Sequence, residues 1–121
     1  MKQIDWKSLG FKYLDTHCHI RYEWRDGAWD AGALVEEPYL HLHIAASCLH
    51  YGQAAFEGLK AFRCKDGAIR MFRPRANAAR MAATARRTCM APPPEDLFLE
   101  ACERVVRANA DYVPPYGTGG A

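Results

Sequence analysis

Three groups of residues in this 121-residue sequence carry side chains that could do chemistry. The first is Asp15-Thr16-His17-Cys18-His19, a D-x-H-x-H pattern. Two histidines two apart on a strand project from the same face and can share one metal ion, with imidazole nitrogens suited to zinc. His41, His43 and His50 could complete such a site. The competing reading is that five histidines in a half-hydrophobic sequence simply occupy strand faces and loops. The second group is the tail Gly117-Thr118-Gly119-Gly120; glycine-rich loops cradle phosphates when a helix N-terminus follows, and none follows within these residues. The third is a set of arginines, Arg73, Arg75, Arg80, Arg86 and Arg87, whose composition alone reads as a solvated helix face. No Ser-His-Asp spacing or close carboxylate pair stands out.

The elements that must position these groups follow from local punctuation. Over residues 13–29, aromatic-rich stretches broken by Asp26-Gly27 predict a strand, a tight turn and a strand. Over residues 39–44, Leu40, Leu42 and Ile44 alternate with Tyr39, His41 and His43, a period of two that predicts a half-buried strand. The clearest hairpin joins 59–63 to 68–72 through Lys65-Asp66-Gly67, because Asp and Gly accept the positive φ such a turn demands. Residues 77–88 place Ala78, Met81, Ala82 and Ala85 at helical spacing, in an alanine-rich stretch that favours helix. Pro92-Pro93-Pro94 stops that helix, and Glu95 and Asp96 then favour the electropositive start of another. Leu97, Ala101 and Val105, flanked by Phe98, Cys102 and Val106, form one apolar stripe running to about Asn109. Strands followed by helices make the fold class α+β, a two-layer antiparallel sheet with two packed helices.

Composition sets the outer limits. With 16 basic and 14 acidic residues the formal charge is +2, which gives no electrostatic case for a nucleic-acid or membrane partner. No apolar run approaches the roughly 20 residues that span a bilayer, and the first residues lack the apolar centre of a signal peptide, so a cytoplasmic location is the default expectation. Five scattered cysteines, Cys18, Cys48, Cys64, Cys89 and Cys102, never form a C-x-x-C pair and read as reduced and mostly buried. A compact fold of this size would bury roughly two thirds of the surface its unfolded chain exposes.

Taken as collinear blocks, the residues become far more specific. Residues 49–63, Leu49-His50-Tyr51-Gly52-Gln53-Ala54-Ala55-Phe56-Glu57-Gly58-Leu59-Lys60-Ala61-Phe62-Arg63, resemble the branched-chain aminotransferases, fold type IV pyridoxal-phosphate enzymes. The likeness continues through Lys65-Asp66-Gly67, Phe72-Arg73-Pro74, Asn77-Ala78-Ala79-Arg80-Met81, Val106-Arg107-Ala108-Asn109 and Val113-Pro114-Pro115-Tyr116-Gly117-Thr118-Gly119, and includes Ile4-Asp5-Trp6 and Leu9-Gly10-Phe11. Two departures are visible. The family usually reads Thr-Asp where this chain has Thr16-His17, and a glycine usually lies in the loop that here reads Ala45-Ala46-Ser47-Cys48. Asp15, His17 and His19 separately resemble the opening motif of metal-dependent hydrolases, whose barrel of roughly 250 residues this chain is too short to close.

The aminotransferase resemblance implies specific roles. Arg80 matches the arginine that binds the phosphate of pyridoxal 5'-phosphate, where a planar guanidinium can fork onto phosphate oxygens. Tyr51 matches a tyrosine that reaches into the partner subunit's substrate pocket, and Phe56 a phenylalanine lining the pocket around an aliphatic side chain. Glu57 and Gly58 of the same block are read as serving local structure only. The implied reaction moves the amino group of Leu, Ile or Val to 2-oxoglutarate in a homodimer, with a small amino acid and a 2-oxo acid as substrates. The five lysines, Lys2, Lys7, Lys12, Lys60 and Lys65, do not stand in the context of the family's Schiff-base lysine, so no catalytic residue is expected here. Residues 1–121 are expected to be the smaller N-terminal domain, lacking its last strands, inactive alone and prone to associate through unsatisfied sheet edges. The remaining alternatives are a metal-binding or hydrolase-like domain on Asp15, His17 and His19, and a non-catalytic short protein that pairs with a full-length enzyme.

Overall fold

The structure, a computed structural model, describes residues 4–8, 10 and 13–118. Leu9 and Phe11 of the N-terminal block, Lys2 and Lys12, and Gly119 and Gly120 of the tail lie outside the described residues.

Asp26 and Gly27 both take positive φ, 51° and 80°, which folds Trp24–Arg25 (β2) back onto Ala28–Trp29 (β3). Two positive φ angles in succession match the right-handed twist of the flanking strands. The turn sets Trp24 opposite Trp29, with ring centroids 5.4 Å apart. Outside this hairpin, His19–Arg21 (β1) pairs antiparallel with Ala33–Val35 (β4). Gly32, at φ 67°, enters β4 beneath the Tyr22 ring, where an added Cβ would lie 2.4 Å from a ring carbon. Only glycine satisfies both the angle and the space.

The Lys65-Asp66-Gly67 hairpin forms as its residues indicate, joining Ala61–Arg63 (β5) to Ile69–Met71 (β6) antiparallel. The Cys64 amide donates to the Ala68 carbonyl at 2.8 Å, and the Asp66 carboxylate accepts from the Ala68 amide at 3.1 Å. Gly67 closes the turn at φ 83°.

Between the ribbons lies a short helix, Ser47–His50 (α1), and after them come two longer ones, Pro74–Arg87 (α2) and Glu95–Ala108 (α3). The start of α2 is three residues earlier than the apolar spacing suggests, because Pro74 occupies the first helical position, where a missing N–H costs nothing. α3 agrees with its apolar stripe to within a residue, with Glu95 and Asp96 in its first turn. The two helices pack on each other, α3 also covers β1, and a 3-10 turn, Ala110–Tyr112, follows.

The α+β class stands, but the sheet differs from expectation. In place of one two-layer sheet the described residues form three separate two-stranded antiparallel ribbons. Strands of two or three residues are too short to recruit further neighbours. Residues 39–44 form no strand: Tyr39, Leu40, Leu42 and Ile44 are all more than half exposed. Alternation marks two faces, yet a strand also needs a backbone partner, and among the described residues none runs alongside.

The core is correspondingly thin. Among the described residues Ala61, Ala78, Ala85, Val113 and Pro114 are buried, and no large side chain is fully buried. The chain exposes 9380 Å², against about 6,600 Å² for a compact monomer of this mass. By the same scaling roughly half of the unfolded surface is buried, not two thirds. The thiols share this shallowness: Cys48 and Cys89 are exposed, and Cys18, Cys64 and Cys102 are half-buried, so the expectation of mostly buried cysteines fails. All five are free, and burial pushes the Cys102 thiol up.

Candidate functional site

The segment 51–60 that follows α1 has no regular secondary structure, so its shape must come from side-chain ties. Gly52, at φ 62°, turns the chain out of α1. Gln53 then fastens it to the C-terminal end of α2, donating from Nε2 to the Thr88 carbonyl at 2.7 Å while its Oε1 accepts from the Ser47 hydroxyl at 2.6 Å. A second tie lies further along. Asn77 Nδ2 donates to both the Gly58 carbonyl and Glu57 Oε1, each at 2.8 Å. The loop is thereby held along α2 at two points about three helical turns apart.

Arg80 stands one helical turn after Asn77, on the same face. Its Nε donates to Glu57 Oε2 at 2.8 Å, and its Nη2 donates to Glu57 Oε1. The carboxylate is buried, with only 4% of its side chain exposed, whereas 68% of the Arg80 side chain meets solvent. Burying a carboxylate is costly unless it is paired and hydrogen-bonded, and here both conditions are met. The Arg80 guanidinium, helped by Asn77 and the Gly58 amide, holds the Glu57 carboxyl down to about 2 despite that burial. The fork uses the side edge of the guanidinium. Its end edge, made of Nη1 and the second hydrogen of Nη2, has no partner among the described residues. That edge is a planar pair of N–H donors suited to two oxygens of an anion such as phosphate.

The other expected pocket residues are placed less fully. Phe56 adjoins Glu57 in the chain and is 91% exposed; Tyr51, at the C-terminal cap of α1, is 87% exposed. Glu57 thus joins Arg80 to the loop bearing Phe56, while among the described residues no hydrogen bond links the Tyr51 side chain to either. Both rings are large, apolar and uncovered.

The D-x-H-x-H residues do not converge. Asp15 is exposed; His17 faces Asp111 at 3.5 Å and the edge of Tyr112. His19 lies in β1 with Nε2 buried and without a hydrogen-bond partner among the described residues. His41, His43 and His50 are exposed, His43 Nδ1 accepting from the Ala45 amide. Among the described residues no three His, Cys, Asp or Glu side chains are gathered to hold a metal, so the metal-site alternative finds no support. In the tail, Gly117 and Thr118 form a turn in which the Thr118 hydroxyl donates to the Pro115 carbonyl at 2.6 Å.

One feature of this cluster is not reached by the sequence reading. Glu57, taken as serving only local structure, is the counter-ion of Arg80. Its signal was present: a single acid between Ala54-Ala55-Phe56 and Gly58-Leu59 must find a cation or meet water.

Comparison with known proteins defines a class, that of amino-group transferases. The chain is 52% identical over 119 residues to a branched-chain-amino-acid aminotransferase of Haemophilus influenzae, 98% of this chain and 35% of that protein. It is 42% identical over 119 residues to the enzyme of the same name from Helicobacter pylori, again 98% of this chain and 35% of the relative. With the mitochondrial branched-chain-amino-acid aminotransferase 1 of Arabidopsis thaliana it shares 40% identity over 117 residues, 96% of this chain and 30% of that one. No protein-family model matches the chain. The chain belongs to the branched-chain-amino-acid aminotransferase family and spans about a third of the length of the curated relatives it matches.

Proposed function

We propose that residues 1–121 correspond to the smaller N-terminal domain of a fold type IV branched-chain aminotransferase that moves the amino group of Leu, Ile or Val to 2-oxoglutarate. Within that protein the chain's part is binding. The observation that carries the reading is Arg80: its side edge is spent on Glu57, and its end edge is open to an anion. The donor set fits the phosphate of pyridoxal 5'-phosphate, since a guanidinium keeps its charge at any working pH and meets two oxygens at once. When bound, that cofactor supplies the electron sink for amino-group transfer. The lysine that would carry it is not among this chain's five, none of which stands in the family's lysine context.

Tyr51 and Phe56 act on the substrate side. An aliphatic amino-acid side chain has no polar handle, so it is held by dispersion and loss of water. Two exposed rings on a tethered loop supply that contact once a second surface closes over them. A homodimer provides such a surface, and the thin core and large exposed area fit a chain that is completed by neighbours. Among the described residues no helix is long and apolar enough to cross a membrane; the expected setting is cytoplasmic.

The test is spectroscopic and kinetic. The protein as its gene encodes it is expected to show the absorbance of lysine-bound pyridoxal phosphate and to transfer the amino group of leucine to 2-oxoglutarate. Neither signal in a folded, cofactor-supplemented protein would overturn the reading.

A further inference from the structure

An exposed arginine is a poor anion receptor unless something holds it still. Its side chain has many rotamers, and each must be given up when a ligand docks. On α2 most of the arginines are exposed, and Arg75 pairs only with Glu95, itself half exposed. Arg80 is different because its partner is buried and itself fixed. Glu57 Oε1 accepts from the Gly58 amide at 3.0 Å, from Asn77 Nδ2 at 2.8 Å and from Arg80 Nη2, leaving Oε2 to Arg80 Nε at 2.8 Å. Asn77 also grips the Gly58 carbonyl, so the carboxylate cannot turn without moving the loop.

We propose that Glu57 is the positioning residue of Arg80: anchored by Asn77 and Gly58, it fixes the guanidinium by its side edge so that the end edge faces the cofactor phosphate. The inference rests on the phosphate reading of Arg80 given above. It is not the default electrostatic expectation. A carboxylate in contact with an arginine lowers the local positive potential, so if charge alone mattered, removing Glu57 would tighten anion binding. Positioning has the opposite sign: without Glu57 the guanidinium is more cationic to its surroundings but unfixed, and the phosphate binds more weakly. Preorganised donors gain affinity because their ordering has been completed before the ligand arrives.

The two signs separate in a double-mutant cycle on the protein as its gene encodes it. Wild type, Glu57→Gln, Arg80→Ala and the double variant are compared for affinity toward pyridoxal phosphate and toward pyridoxal, which lacks the phosphate. Arg80→Ala is expected to weaken pyridoxal phosphate by about 10- to 100-fold, the worth of one charge-assisted contact or a fork of two. Glu57→Gln is expected to weaken it by about tenfold, with the double variant no weaker than Arg80→Ala and pyridoxal affinity unchanged throughout. Losses that add in the double variant, or that extend equally to pyridoxal, would reveal a merely structural role and overturn the inference. So would a Glu57→Gln protein that binds pyridoxal phosphate as well as, or better than, wild type. An Arg80→Ala protein of unaltered affinity overturns the phosphate reading itself and the inference with it. Should Glu57→Gln fail to fold, Asn77→Ser loosens the carboxylate while keeping it. That variant is expected to lose about threefold toward pyridoxal phosphate alone, and no loss would overturn the inference.

Discussion

Two arginines on neighbouring helices use the same side chain to different ends. Arg104 on α3 spends its guanidinium inward: Nη1 donates to the Tyr22 hydroxyl at 2.8 Å, the Ala31 carbonyl at 2.7 Å and Glu100 at 3.1 Å, and Nη2 donates to the Gly32 carbonyl at 3.1 Å. The Tyr22 ring lies beneath it, 5.6 Å from the guanidinium carbon. Arg80 on α2 spends one edge on a single buried carboxylate, and its other edge meets no partner among the described residues. Arg104 satisfies two carbonyls of the β3–β4 connection and the Tyr22 phenol between β1 and β2, and so latches both connections to α3. Arg80 satisfies one acid and keeps its end edge without a partner among the described residues. The difference separates an arginine that holds a fold together from one that can hold a ligand.

The comparison can be broken most forcefully at the latch side. Asn109 is buried; it accepts from the Cys18 amide at 3.2 Å and donates to the Cys18 carbonyl and the Val105 carbonyl, each at 2.9 Å. Asn109→Leu leaves the Cys18 amide unsatisfied and its carbonyl with only the Thr16 hydroxyl, at 3.4 Å, and is expected to cost about 2–3 kcal/mol in denaturant unfolding, with no selective loss of pyridoxal phosphate. Arg104→Ala is expected to lower the melting temperature by several degrees and to increase hydrogen exchange at residues 30–33. Next in size is an acid effect at Glu57. Because Arg80, Asn77 and the Gly58 amide bring the Glu57 carboxyl from 4.5 to about 2, the stability it contributes is present above pH 4.5. That stability is lost progressively as pH falls from about 4.5 to about 2, where the folded form also takes up the proton. Glu57→Gln should remove this component from the pH–stability curve. The smallest effect is expected at Asp66, which Arg70 also draws to about 2. Both side chains of that pair are more than half exposed, and Arg70→Ala should leave the melting curve almost unmoved.

How far the molecule was legible in its residues follows the same division between local and long-range causes. α3 follows its apolar stripe because helical periodicity and the Pro92-Pro93-Pro94 stop are local facts. The two tight hairpins follow from Asp26-Gly27 and Asp66-Gly67, whose conformational freedom is also local. Residues 39–44 misled because alternation describes a strand's faces and says nothing about whether another strand lies beside it. The single sheet failed for the same reason: pairing between distant segments is not written in any one of them. At the site, Arg80, Tyr51 and Phe56 were reached through collinear resemblance, not through spacing. Glu57 was within reach of physical argument alone, since it lies 23 residues from Arg80 in sequence yet is the lone acid of an apolar loop. The histidine pattern looked like chemistry, but the fold directs His17 toward Asp111 and leaves His19 in β1.

The most direct measurement is a crossed comparison of Arg80→Ala and Arg104→Ala, each assayed for melting temperature and for pyridoxal phosphate affinity in the protein as its gene encodes it. Arg80→Ala is expected to lose about 10- to 100-fold in affinity and also the stability that pairing gives the buried Glu57 carboxylate, whereas Arg104→Ala is expected to melt earlier with its affinity intact. An Arg80→Ala protein that melts early yet binds pyridoxal phosphate like the wild type would contradict the assignment of Arg80 as the ligand-holding arginine.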